Sequence, residues 1–172
     1  PPPPAVLKSF KPAAQALADD VVLGIDLGTT TCRAAVWLDG APRLIPLVGE
    51  KGFALPSAVA LDKRGELQVG TRARALRAER PESVVVGLKR LLGQRARSKA
   101  VKLLTPRFPF AVVADPDGDA GAELAGKVWS LPELASLLLK EIKEAAQNSL
   151  ERELKRAVLC VPAWYSDHQR AA

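Results

Sequence analysis

The chain has 172 residues, an apolar fraction of 48% and a formal net charge of +6, which suits one globular domain or two small lobes around a buried core. No apolar run approaches the roughly 18 residues that cross a bilayer, and the opening PPPPAVLKSFKPAAQ lacks the uninterrupted apolar stretch of a secretory signal. A soluble, cytoplasmic protein with no membrane partner is expected, and a chain that begins with proline and contains no methionine is expected to be part of a longer one.

Residues 1–20 are Pro/Ala-rich and aperiodic, and read as a flexible arm. Residues 21–48 hold three strands of a meander: VVLGIDL, then TCRAAVWL after a Gly-Thr-Thr turn, then RLIPLV after the hairpin dipeptide Asp39-Gly40. After a glycine-rich loop over 49–52, LPSAVALDKRGELQVG predicts two short strands around a Lys63-Arg64-Gly65 turn. A helix is expected over 71–80, ended by Pro81, and a second over 82–92, stopped by Gly93. Residues 99–128 read as irregular chain and strands around DPDGDAG. A long helix starts at Ser130, whose hydroxyl and Glu133 form a capping box with Pro132 in the first turn. Leu134, Leu137, Leu138, Ile142 and Ala145 recur at helical spacing, so one face packs on a sheet. AVLCV is expected as a short buried strand closed by Pro162, and Ser166 or Asp167 caps a final helix.

The first turn carries the chemistry. Gly28 lets the backbone approach a ligand closely, successive amides from Thr29 to Thr31 suit an anion-binding concavity, and the threonine hydroxyls add neutral donors. Asp26 precedes the turn inside an apolar run. A carboxylate buried in a strand costs several kcal/mol unless a cation or donors meet it, so a hydrated magnesium ion bridging to phosphates is expected there. Cys32 and Cys160 lie in apolar strand patterns with no CxxC or Cys/His metal spacing, and are expected as small buried hydrophobes in a reducing compartment.

VLGIDLGTTTCRAAVWLDG closely resembles the first phosphate loop of the actin-like ATPase superfamily, and within it the seventy-kilodalton heat-shock chaperones. LPSAVAL, GTRARALRAERPESVVVGLKRLLG and AVLCVPAWYSDHQR resemble the same chaperone family at compatible spacing. The resemblance runs from about residue 21 to the last residue. It implies an α/β fold, the ribonuclease-H-like lobe I of an actin-like ATPase, in which a mixed sheet flanked by helices carries an inserted α/β subdomain. Residues 21–48 and 130–172 would form the base and residues 49–129 the upper insertion. It also implies that a second phosphate loop, a catalytic acid, the adenosine-binding half and a peptide-binding domain follow beyond these residues.

By the same resemblance the cofactors are ATP or ADP with magnesium. Gly28, Thr29, Thr30 and Thr31 bind phosphate, Asp26 serves the metal through water, and Thr29 and Lys89 are catalytic. Lys89 orients the attacking water, and an ammonium there stabilises charge developing on the transferred phosphoryl oxygens. Pro162 and Arg170 match a proline switch and an arginine that link nucleotide state to unfolded-peptide clients and co-chaperones. Thr31 stands where many family members carry an aromatic residue, and Trp164 where a tyrosine is common.

The segment 71–107 holds eleven Lys and Arg against Glu79 and Glu82, a charge that attracts phosphates. It lacks interleaved aromatics and has apolar spacers at helical intervals, so a nucleic-acid partner is not expected. His168 reads as a surface residue. Two rivals stay open: a sugar-kinase-like phosphotransferase of the same superfamily, which GTTTCRA also resembles, and a non-catalytic interaction module. The expected function is a chaperone-like ATPase whose hydrolysis of ATP is coupled to peptide binding, with negligible turnover by these residues alone.

Overall fold

A computed structural model describes residues 21–49 and 52–172; the predicted arm over 1–20 and part of the 49–52 loop lie outside the described residues. The first meander forms, but its third strand lies earlier than the expected RLIPLV, directly after the hairpin turn and ending at Leu44. β1 (Val22–Leu27), β2 (Thr31–Leu38) and β3 (Ala41–Leu44) are joined by tight turns, and Asp39 and Gly40 both take positive φ, 51° and 77°, as a two-residue hairpin turn demands. β4 (Leu55–Pro56) adds to the other end of β2.

β5 (Ala58–Leu61) and β6 (Leu67–Val69) pair antiparallel around the Lys63-Arg64-Gly65 turn. α1 (Thr71–Ala75) follows and ends early, passing into a 3-10 turn at Leu76–Ala78. The helix predicted over 82–92 does not form. Three successive valines make β7 (Val84–Val86), which pairs with β5, because β-branched side chains pack better on a sheet than against a helical turn. Gly87 then takes the left-handed conformation, and only a 3-10 turn, Leu88–Arg90, remains of the expected helix.

Within the stretch read as irregular, α2 (Lys99–Leu104) is capped by Ser98, whose hydroxyl accepts from the Val101 amide. β8 (Ala111–Ala114), β9 (Ala120–Leu124) and β10 (Lys127–Ser130) form a second antiparallel meander. Asp115 closes its first hairpin by accepting from the amides of Asp117 and Asp119. α3 (Leu131–Leu150) starts with the predicted capping box on Ser130 and Glu133 and buries Leu131, Leu134, Leu138, Ile142 and Ala146.

β11 (Arg156–Cys160) returns beside β1 and runs parallel to it, so the main sheet is mixed, with order β11-β1-β2-β3 and β4 on β2. α4 (Asp167–Ala171) is capped by Ser166. Two expectations fail at β11. The strand is exposed along its length and so is Cys160, whereas Cys32 is fully buried. An edge strand is covered only from one side, and nothing among the described residues lies beyond this one. The main core joins β1, β2 and α3 to Val59, Val85 and Leu88. Ala58 and Ala60, on the alternate face of β5, pack with Ala73 and Val84 as a smaller cluster.

Candidate functional site

The turn between β1 and β2 is held from outside. Ser57 donates its hydroxyl to the Gly28 carbonyl at 2.7 Å and its amide to the Thr30 carbonyl at 2.8 Å, and it lies 3.2 Å from the Cys32 sulfur. A Cβ on Gly28 would meet the Thr31 carbonyl oxygen at 2.1 Å. The position therefore admits only glycine, the requirement of a turn that closes on itself. Burial pushes the Cys32 thiol up, opposed by the Ser57 hydrogen bond. Asp26 raises it further and Lys89 lowers it, so a carboxylate and an ammonium distant in sequence both act on this sulfur.

The argument for Asp26 from burial is corrected by the structure: its carboxylate is exposed, on the face of β1 that alternates with buried Ile25 and Leu27. Water solvates it, and no metal is demanded by desolvation. An exposed carboxylate beside an unpartnered hydroxyl turn remains a suitable donor set for a hydrated cation, which binds through one or two carboxylates and water. The Thr29 and Thr30 hydroxyls have no hydrogen-bond partner among the described residues.

Lys89 does not stand on a helix face. It occupies the 3-10 turn after Gly87, half-buried and with no ion pair among the described residues. A side chain at Gly87 would press on Phe108 and reach the Thr29 methyl, so its left-handed geometry brings the Lys89 turn against the first one. Thr29, Lys89 and Pro162 line one open recess of about 620 Å³, with Trp164, Tyr165 and Gln169 on its wall. Lys89 and Arg170 also line an adjoining recess of about 210 Å³. Asp26, Gly28 and Thr31 line neither. Thr31 lies in β2, opposite Pro56.

Tyr165 went unread as a sequence signal and is the main anchor of the Lys89 turn. It is buried, its hydroxyl donates to the Lys89 carbonyl, and burial raises its pKa. The Gln169 amide donates to the Leu92 carbonyl at 3.4 Å, and a Cβ on left-handed Gly93 would lie 2.6 Å from the Gln169 Cα. α4 thus sits directly on the Lys89–Gly93 segment. Arg170 turns back and donates to the Tyr165 and Ala163 carbonyls at 3.2 and 3.0 Å, fixing the turn after Pro162.

His168 is half-exposed, as expected of a surface residue, yet its Nε2 lies 2.6 Å from an Asp119 carboxylate oxygen. Arg95 reaches the other oxygen at 3.1 Å in an ion pair without hydrogen-bond geometry.

A family model described as Hsp70 protein matches residues 22–172. The chain belongs to the Hsp70 family. The match spans the first turn, the Lys89 turn and α4 together, and the mixed α/β architecture is compatible with an Hsp70 nucleotide-binding domain. Hsp70 membership brings chaperone, heat-shock and ATP-binding character, and Hsp70 proteins generally bind ATP or ADP with magnesium. Among the described residues no helix is long and apolar enough to cross a membrane.

Proposed function

We propose that these residues form lobe I of the ATPase domain of an actin-like, ribonuclease-H-like chaperone, binding Mg-ATP and coupling its hydrolysis to peptide binding in the full-length protein. The observation that carries the reading is the shared recess of Thr29 and Lys89, a free hydroxyl and a free ammonium drawn from segments far apart in sequence. The base would comprise residues 21–48 and 130–172, and the upper insertion residues 49–129.

In this reading the Gly28–Thr31 turn seats the phosphates through its amides and the Thr29 and Thr30 hydroxyls, and Asp26 holds magnesium through water. When bound, the metal would offset phosphate charge. Thr29 and Lys89 flank the attacking water. As the water oxygen bonds to the γ-phosphorus and the bond to the bridging oxygen breaks, Lys89 stabilises the charge on the phosphoryl oxygens. Pro162 and Arg170 relay nucleotide state towards peptide clients and co-chaperones in the cytoplasm. The support for that relay is the contact chain from Arg170 through Tyr165 to the Lys89 carbonyl.

The site among the described residues is one open wall, with Thr30 and Asp26 exposed. Such a wall binds without excluding water or aligning the nucleophile, so turnover by these residues alone is expected to be negligible. Calorimetric titration with ATP and ADP, with and without magnesium, tests the reading in the full-length protein. Magnesium-dependent binding that weakens at least tenfold in Asp26→Asn supports it. Binding indifferent to both the metal and that substitution rejects it.

A further inference from the structure

Thr29 and Thr30 also line a second recess, of about 220 Å³, which Lys89 does not reach. Arg74, Arg77, Arg90 and Arg107 converge on it from four different segments: α1, the Leu76–Ala78 turn, the Leu88–Arg90 turn and the Thr105–Arg107 turn. No acidic residue lines it, and none of the four side chains has an ion-pair or hydrogen-bond partner among the described residues.

Three other arginines form ion pairs, Arg43 with Asp39, Arg80 with Glu82 and Arg95 with Asp119. Four like charges around one concavity repel, and the arrangement raises the local concentration of any counter-anion. Guanidinium groups match phosphate oxygens in a two-pronged geometry. The recess is smaller than the roughly 300–1,000 Å³ of pockets for drug-sized ligands, which suits a single oxyanion better than a base or a peptide.

We propose that Arg74, Arg77, Arg90 and Arg107 form an oxyanion site for a phosphate-type dianion, beside the nucleotide seat at the first turn and bordering it at Thr29 and Thr30. The two recesses share Thr29, Arg90 and Arg107, so phosphate freed beside Lys89 has a cationic pocket next to it. That supply route rests on the ATPase reading, whereas the anion site does not.

Isothermal titration of the chain with sodium phosphate at fixed ionic strength tests the proposal. Saturable binding is expected, weakened at least tenfold in Arg74→Gln/Arg77→Gln and less than twofold in Arg72→Gln/Arg97→Gln, which removes the same charge from residues that do not line the recess. Absence of saturable binding, or equal losses in the two pairs, overturns it. Should the first pair lower the melting temperature, Arg107→Gln, from another segment, carries the same comparison. Adding ADP and magnesium identifies the source: unchanged phosphate binding points to free phosphate, and competition to the nucleotide's own phosphates. Asp26→Asn separates the two readings. Loss of magnesium-dependent ADP binding with phosphate binding intact supports both, and intact ADP binding removes the metal role while the arginine site stands.

Discussion

Gly28→Ala should destabilise the chain more than any other single methyl group added to the first turn. The new Cβ would lie 2.1 Å from the Thr31 carbonyl oxygen, where real contacts stay above 3.0 Å, so the turn must open by roughly 0.9 Å. That displacement stretches the 2.7 Å bond from Ser57 to the Gly28 carbonyl to about 3.6 Å, outside hydrogen-bond range. Forced packing of this kind costs about 1–3 kcal/mol, and loss of the bond to the buried serine adds about 0.5–1.5 kcal/mol. The sum, roughly 2–4 kcal/mol, corresponds to a melting temperature lower by roughly 4–16 °C in a chain of this size. Thermal and urea unfolding followed by circular dichroism measure it, with Ser57→Ala as a companion expected to cost only the smaller share. A Gly28→Ala melt within 1 °C of the parent would refute the close-approach argument.

Lys89→Ala in the full-length protein should reduce the rate of ATP hydrolysis about 100–1,000-fold, the range for losing one preorganised charge-stabilising donor, while nucleotide affinity by calorimetry holds within about threefold; equal losses of both would reject a catalytic assignment. Tyr165→Phe removes the hydroxyl that holds the Lys89 carbonyl. It should cost about 1 kcal/mol of stability in urea melts, and an unchanged midpoint would show the contact to be idle. Burial raises the Cys32 thiol above its ordinary value of 9.0. The folded state thus holds its proton to higher pH than the unfolded state, so this contribution is fully present below pH 9.0 and is lost as pH rises from there through the folded value. Melts between pH 7 and 11 should show an alkaline fall that is shallower in Cys32→Ala, and parallel curves would exclude the thiol as its source.

Much of the fold was legible because its local signals agree. The Asp39-Gly40 hairpin, the Lys63-Arg64-Gly65 turn, the Ser130–Glu133 capping box and the Ser166 cap each form where residue chemistry put them. The helix over 82–92 misled because Leu88, Leu91 and Leu92 repeat at helical intervals. All three are buried, but through a 3-10 turn after left-handed Gly87 and not along a helix.

At the site, the tight turn was legible from Gly28, and Lys89 was singled out by motif resemblance alone. The exposure of Asp26 was not, since alternation along β1 decides which face it occupies, and an acid between Ile25 and Leu27 reads equally as buried or outward. Ser57, Gly87 and Tyr165 were missed because each acts through a partner distant in sequence. The same holds for the four arginines, which read along the chain as diffuse charge and converge only through the fold.

The outer rim of β11 leaves main-chain amides and carbonyls along an apolar strand without a neighbour among the described residues, with Val158 60% and Leu159 39% exposed. Rims of this kind template further strand addition. The chain carries a formal net charge of +6, so two such rims approaching each other repel at low ionic strength. Added salt shortens the reach of that repulsion, and concentrated samples should therefore stay dispersed in dilute buffer and begin to stack, strand on strand, as the salt is raised.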